Sequence, residues 1–432
     1  MVENKLQTTN NRYGNVVPFL LGLCCCTNLV YVFQIGGTKV LISTVLSLLI
    51  VLYNLFTGRF VGKMRMSLPS NIRLPIIIFF AFVLFSVFPA MLYFLGSPYI
   101  VRYIYGLIEL AGFVLISLAV VLCYEKKDQI KKGLAWGLFI NILVSCISIV
   151  QKRPGAAPGI YTAILKIFPQ TISGIYSYGA YRPMGLFFES SYFIGFLIIA
   201  GFLLIPNEKT TWKRYGYLLS IILMIAYSRS GNILIAFACI FIFWCFSKVR
   251  VTFRIKKSTL LLGMLVFFVA GVWFVFLGGY DSFTRAIQVA IEGASVETSA
   301  PRWNNIKRII GVLPSVPIGC GWNMTNTYME VYQSHLINVT DAYSRGTSSF
   351  LLTLLMEVGV GGALAYCFFI GNSFFALVNK KILTKERLGV AVAFLAMVLL
   401  QFLNGVKYFP HFMLVIGIVL CEVSQSRNSH NK

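Results

Sequence analysis

The sequence predicts an all-α polytopic membrane protein of about twelve transmembrane helices. Three observations lead there. Of 432 residues, 58% are hydrophobic and only 12% are charged, about half the ~25% charged share of a soluble domain. Mean hydropathy is +0.79. Apolar runs approaching the ~20 residues that cross a bilayer recur from one end of the chain to the other. Together these exclude a soluble enzyme, a secreted disulfide scaffold and a single-anchor receptor.

Residues 1–15 are polar and lack the basic, apolar and small-residue succession of a cleaved signal peptide. Apolar runs then predict spans near 16–35, 39–57, 74–95, 103–124, 133–150 and 190–206. Further spans are predicted near 215–228, 231–247, 259–278, 348–371, 388–403 and 408–422. The runs at 215–228 and 408–422 are short and read as tilted or partly re-entrant. No repeat or soluble domain boundary interrupts residues 1–432, which read as one membrane domain.

Twelve spans put both termini on one side. The segments on that side are 1–15, 58–73, 125–132, 207–214, 248–258, 379–387 and 423–432, and they hold 24 of the 37 Lys and Arg. Basic connectors stay in the cytoplasm, so both termini are expected there. The net charge of +23 is then a topology signal, with attraction to anionic inner-leaflet lipid added. Nucleic acid is not needed as a partner. Nine of the ten cysteines sit in apolar runs, where a thiol behaves as a small hydrophobe. Cys320 sits in a polar loop with no second loop cysteine to pair with.

Two external segments, 151–189 and 279–347, are too long to be mere connectors. Their arginines are the main chemical signal, because topology does not call for cations on that side. Arg also binds phosphate through a planar, bidentate fork. Arg182 lies in Tyr181-Arg182-Pro183-Met184-Gly185-Leu186-Phe187-Phe188-Glu189, just before a span. Arg229 lies in Ser228-Arg229-Ser230-Gly231, between two spans, where an unpaired charge is costly and reads as a site. Arg302 precedes Trp303, Arg308 follows six residues later, and Arg345 stands just ahead of the next span. Each also fits an interfacial anchor reaching to headgroups.

Among the acids, Glu189 sits at the membrane entry beside Arg182, as a general base or as that arginine's partner. Glu109 and Glu357 fall inside spans, where they would pair with an arginine or line a polar cavity. His335 in the late loop and His411 at the outer end of the last span are candidate proton carriers. Tyr161, Tyr176, Tyr178, Tyr181, Trp303, Trp322, Tyr328 and Tyr343 could stack on sugar faces or form an interfacial belt. No H-E-x-x-H, D-x-D or GxxxxGK[ST] pattern supports a metal site or ATP-driven transport.

Three external pieces occur in a recognisable order. Arg182-Pro183-Met184-Gly185-Leu186-Phe187 comes first, then Ser228-Arg229-Ser230-Gly231. The third piece runs from Arg302-Trp303 through Pro317-Ile318-Gly319-Cys320-Gly321 to Glu357-Val358-Gly359-Val360-Gly361. The order resembles the bacterial O-antigen polymerase and O-antigen ligase superfamily, including Wzy-type polysaccharide polymerases, over about residues 180–365. The resemblance implies a GT-C-like membrane glycosyltransferase without metal or other cofactor. Its substrate would be an undecaprenyl-diphosphate-linked oligosaccharide, used on the periplasmic face of the inner membrane. Membrane lipid and a chain-length regulator protein are its implied partners.

By the same resemblance, Arg229 and Arg302 would grip the leaving diphosphate. The reading of the residues themselves adds Arg182, Arg308, Arg345, Tyr181 and Trp303 as candidates for binding substrate, and Glu189, Asp341 and His335 as candidates for taking the proton; the resemblance assigns no base. Ligases carry a His-Asn pair shortly before the Glu-x-Gly of the late span. Here Ser348-Ser349 stand in that place, which favours a polymerase. A ligase using a lipid A-core acceptor is the nearer rival. A lipid-linked oligosaccharide flippase is the rival of another class, with short external loops and internal repeats as its signature. A structural scaffold would leave the outer arginines unexplained.

Overall fold

The computed structural model describes residues 15–28, 30–35, 38–63, 68–150, 183–187, 189–228, 232–248, 306, 308–333, 349–379, 383–404 and 409–430. Among these the chain is almost entirely helical. The early elements are α1 (Asn15–Cys24), a hairpin of β1 (Tyr31–Ile35) and β2 (Thr38–Leu41), α2 (Ile42–Phe56) and α3 (Arg59–Lys63). Next come α4 (Ser70–Phe85), α5 (Val87–Phe94), α6 (Ile100–Cys123) and α7 (Lys127–Val150). α8 (Ser190–Leu204), α9 (Thr211–Ser228) and α10 (Ile233–Lys248) follow, and then α11 (Thr325–Tyr332). α12 (Phe350–Leu377), α13 (Lys385–Asn404) and α14 (Pro410–His430) complete the bundle.

Four described stretches are long and apolar enough to cross a membrane: Ser70–Phe94, Ile100–Ile147, Ser190–Asn207 and Phe350–Leu377. The second of these contains α6 and most of α7, joined by a 3₁₀ turn at Tyr124–Lys126. The span expected at 259–278 lies outside the described residues.

The first expected span differs in kind. Residues 16–35 do not continue as one helix: α1 stops at Cys24, and Tyr31–Ile35 pairs antiparallel with Thr38–Leu41. Tyr31-Val32-Phe33-Gln34-Ile35 is β-branched and aromatic, and Gly36-Gly37 follows it, which is hairpin chemistry. The second expected span likewise begins as strand and turns helical only at Ile42.

α13 occupies the centre. Val390, Ala391, Val392, Ala393, Phe394, Ala396 and Met397 are all at most 1% exposed, the pattern of a helix surrounded on every side. α8 lies antiparallel to it, with Gly195 against Leu400 and Gly389 against the Phe202 carbonyl. The later half of α12 is also antiparallel to α13, with Phe369 near Phe394 and Tyr366 donating to Gln401 Oε1 at 2.7 Å. α4 runs antiparallel to that half, tied by Asn372 Nδ2 to the Asn71 carbonyl at 2.7 Å and by Gly361 over Phe82. α14 is parallel to α6: Ser117 donates to the Met413 carbonyl at 2.8 Å, and Tyr124 donates to Glu422.

These pairings gather the starts of α4, α7 and α13 and the ends of α6, α8, α12 and α14 at one end of the bundle. A charge cluster closes that end. Lys127 Nζ lies 2.9 Å from Glu386 and 3.5 Å from Glu422, and Lys131 also pairs with Glu386. Burial alone would raise the Glu386 carboxyl, but Lys131 and Lys127 outweigh it and hold it below the usual carboxylate value.

At the opposite end a second apolar cluster caps the bundle. It unites Val83 and Phe94 with Ile309, Cys320, Trp322 and Leu354. The polar segment expected at 279–347 therefore contains packed structure in its described part: residues 308–312 are helical, a 3₁₀ turn covers Leu313–Ser315, and α11 follows.

Candidate functional site

Two loci stand at the capped end. The first is an elbow in α12. Gly359 has φ 69 and ψ −175, a backbone region open only to glycine. The rings of Phe350 and Tyr366 are 5.3 Å apart, whereas sixteen residues of continuous helix would put about 24 Å between them. Residues 350–358 therefore fold back along 360–377. The expected span 348–371 is not one straight helix, although 360–377 alone is about 27 Å long.

The fold-back exposes helix carbonyls, and Pro317-Ile318-Gly319-Cys320-Gly321 supplies donors for them. Cys320 N donates to the Met356 carbonyl at 2.7 Å, and Gly321 N donates to the Glu357 carbonyl at 3.1 Å. Gly319, at φ 94, passes so close that a Cβ there would sit 2.5 Å from the Glu357 carbonyl oxygen. A Cβ on Gly359 would meet the Ile318 carbonyl carbon at 2.8 Å. Two glycine motifs some forty residues apart thus interlock backbone to backbone.

Around this junction the polar contacts are mostly long-range. Glu357 is 1% exposed, and its Oε1 accepts from Thr325 Oγ1 at 3.2 Å. Trp322 donates its backbone N–H to Ser86 Oγ at 3.1 Å and its indole N–H to the Gly106 carbonyl at 3.2 Å. Asn323 Nδ2 donates to the Arg102 carbonyl at 3.3 Å, and Arg102 reaches Thr327 at 3.0 Å and Glu330 at 3.3 Å. Sequence reasoning passed over Arg102, Ser86 and Thr325. Arg308 lies half-buried in the helical residues 308–312, whose Ile309 and Val312 enter the cap.

The second locus lies at the start of α8. Asn141 Oδ1 accepts from Leu186 N at 2.7 Å while its amide donates to the carbonyls of Cys26 and Gly137 at 2.9 and 2.8 Å. Thr27 Oγ1 donates to the Leu186 carbonyl at 2.9 Å. Pro183-Met184-Gly185-Leu186-Phe187 is thereby clamped between α7 and the end of α1. Glu189 follows as the N-cap of α8, with an extended backbone (φ −147, ψ 147), and its carbonyl accepts from Tyr192 and Phe193.

Phe187 packs edge-on against His411, with ring centroids 5.7 Å apart. His411 is 1% exposed and caged by Phe187, Phe196, Phe409 and Phe412. Neither ring nitrogen has a hydrogen-bond partner among the described residues. Asn232, at the head of α10, donates through Nδ2 to the Ser191 carbonyl at 2.9 Å. The described flanks of the Arg182 and Arg229 motifs therefore meet at the first turn of α8.

Of the ten residues assigned to the site from sequence, Glu189 and Arg308 are described. They fall in different loci, Glu189 at the head of α8 and Arg308 in the cap. Tyr181, Arg182, Arg229, Arg302, Trp303, His335, Asp341 and Arg345 lie outside the described residues. Two of the aromatics offered for sugar stacking belong to the packed cap instead. Trp322 is 1% exposed and Tyr328 4%, the latter edge-on against Tyr93.

Comparison with known proteins adds one match. The family model described as O-antigen ligase covers residues 215–367, from early α9 through the interlocked glycine motifs into the later half of α12. No curated protein matches the chain.

Proposed function

We propose that this chain, a membrane protein whose residues 215–367 carry the O-antigen ligase family domain, polymerises a surface polysaccharide from undecaprenyl-diphosphate-linked repeat units. The domain match supports a reading among the O-antigen polymerases and ligases, with lipid-linked saccharides as the substrate class. The observation that carries the reading is where the matched region folds: its glycine motifs interlock at the elbow, in the cap opposite the basic end of the bundle. With basic connectors in the cytoplasm, that cap faces outward, where lipid-linked units are joined. On this reading the chain has about twelve spans of the inner membrane in a GT-C-like arrangement, with both termini in the cytoplasm.

The chemistry is a glycosyl transfer. A hydroxyl of the incoming repeat unit attacks the anomeric carbon of the growing chain, and the C–O bond to the diphosphate breaks. The electron pair leaves on the diphosphate oxygen. Arg229 and Arg302 stabilise that charge, since preorganised cations in a dry site act most strongly on charge that develops during the reaction. Arg182, Arg308, Arg345, Tyr181 and Trp303 hold the substrate, and Glu189 or His335 receives the hydroxyl proton. The bond from Asn232 to Ser191, beside Glu189, supports this arrangement, because Arg229 is three residues from Asn232 in the chain. A chain-length regulator protein is the expected macromolecular partner.

Ligase activity is the second reading, favoured by the description of the matched family. Purified protein given a lipid-diphosphate repeat unit, with and without a chelator, separates the two. A ladder of products at repeat-unit spacing establishes the polymerase. A single transfer seen only when a lipid A-core acceptor is added establishes the ligase. Product in neither case, from folded protein, overturns both.

A further inference from the structure

We propose that a groove between α12 and α13 holds part of the isoprenoid tail of the lipid-linked saccharide. A cavity of about 190 Å³ opens there, lined by Phe350, Tyr366, Cys367, Gly371, Gln401 and Phe402 among others. Its only strongly polar pair, Tyr366 and Gln401, is hydrogen-bonded together at 2.7 Å, so the wall it presents is apolar. Cys367 is exposed and Phe402 is 40% exposed, which leaves the groove open at the side of the bundle. An apolar opening at that position faces bilayer hydrocarbon.

Gly371 supplies an independent observation. Glycine in a membrane helix usually lets a neighbouring backbone approach, as Gly389 does for Phe202. At Gly371 nothing lies within 4 Å of where a Cβ would stand. Alanine would also be the better helix former at this position. Packing among the described residues thus gives no reason for glycine there, whereas a chain lying in the groove does.

Position distinguishes a substrate tail from an ordinary acyl chain. Phe350 opens the folded-back segment that leads to the Glu357–Gly359 elbow. Across the groove, Leu400 is next to Gln401 and packs on Gly195 of α8, one and a half turns from Glu189. The groove therefore begins at the segment that leads to the elbow, from which the tail of a lipid diphosphate held there would descend. This assignment rests on the proposed donor.

Gly371→Leu and Cys367→Phe fill the groove from two sides. Transfer is measured with an undecaprenyl donor and with a geranyl donor too short to reach it. Both variants are expected to raise KM roughly tenfold for the undecaprenyl donor, the loss from displacing about two chain carbons from an apolar wall. Neither should change kcat, and KM for the geranyl donor should stay within twofold. A diazirine-bearing undecaprenyl diphosphate should label residues 366–371 and be competed by unlabelled donor. Equal effects on both donors, or none on either, overturn the assignment. So does labelling of those residues by a diazirine phospholipid that excess donor fails to displace. Active wild-type protein with chain-length-blind variants sinks the groove alone. Wild-type protein inactive on both donors sinks the proposed function and the groove with it.

Discussion

Replacing Gly359 by alanine tests the elbow most sharply. At φ 69, ψ −175 a non-glycine residue carries roughly 1–3 kcal/mol of strain. The added Cβ would stand 2.8 Å from the Ile318 carbonyl carbon and 2.9 Å from the Pro317 carbonyl oxygen. Backbone atoms cannot rotate aside, so the 317–321 loop must withdraw. That breaks the bonds from Cys320 and Gly321 to the carbonyls of Met356 and Glu357, each worth about 1 kcal/mol net. The total is about 3–5 kcal/mol, well above the ~1 kcal/mol typical of single substitutions. Thermal unfolding in detergent measures it. Gly371→Ala is the control, expected neutral to slightly stabilising, because its surroundings are open. A cross-linking arm reads the geometry directly. Cysteines at positions 350 and 366 should join through a short bifunctional reagent in the wild-type background, since the native rings are 5.3 Å apart. If Gly359→Ala unfolds no earlier than wild type and the 350/366 pair fails to cross-link, α12 is a straight span and the elbow is refuted.

Arg229→Ala and Arg302→Ala should each abolish transfer while the protein still inserts and unfolds normally; full activity in both, by gel assay of products, removes the diphosphate clamp. His411→Phe should raise stability by about 1–2 kcal/mol, because it removes two unbonded polar atoms from a phenylalanine cage; unfolding temperature is the readout, and a drop would show that the imidazole is satisfied in the native state. Glu386 has a carboxyl held below its ordinary value of 4.5. Its pairing therefore contributes fully above about pH 5, by up to ~1 kcal/mol given its partial exposure, and fades as pH falls through the depressed value. Glu386→Gln should flatten that acid limb in pH-dependent unfolding and leave the neutral-pH profile parallel to wild type. Thr325→Val should cost about 1–3 kcal/mol by withdrawing a donor from the buried Glu357 carboxyl, read in the same melts.

Helices were legible where an apolar run was long and uninterrupted, as in α6 and α8. Two of the expected basic connectors, 125–132 and 379–387, do share one end, where Lys127 and Lys131 meet Glu386 and Lys127 meets Glu422. The hairpin after α1 had a signal: Gly36-Gly37 between β-branched residues outweighs hydropathy, which counts apolar residues without regard to period. The elbow had none that hydropathy could use. Glu357-Val358-Gly359-Val360-Gly361 lies inside an apolar stretch, and the need for glycine at 359 becomes visible only once Ile318 is seen pressing on it.

The supporting residues of the site were hidden for a related reason. Within hydrocarbon the hydrophobic effect does not discriminate between neighbouring helices, so single polar side chains and close backbone contacts must set their register. Asn141, Ser86, Asn232 and Thr325 do this here, each bonding a group distant in sequence. One such residue in an apolar run carries no pattern by itself. Arginine stands out in an apolar sequence, because its charge is costly wherever it falls. The neutral groups that hold the chain around it do not, because a satisfied hydrogen bond leaves no trace in composition. It follows that substitutions at Asn141 or Asn232 should change the alignment of the arginine-bearing segments as well as stability. Asn232→Ala, which releases the head of α10 from Ser191, is therefore expected to lower transfer by more than its loss of one hydrogen bond lowers the unfolding temperature. Equal, small effects on both would mean that the contact fastens two helices and nothing more.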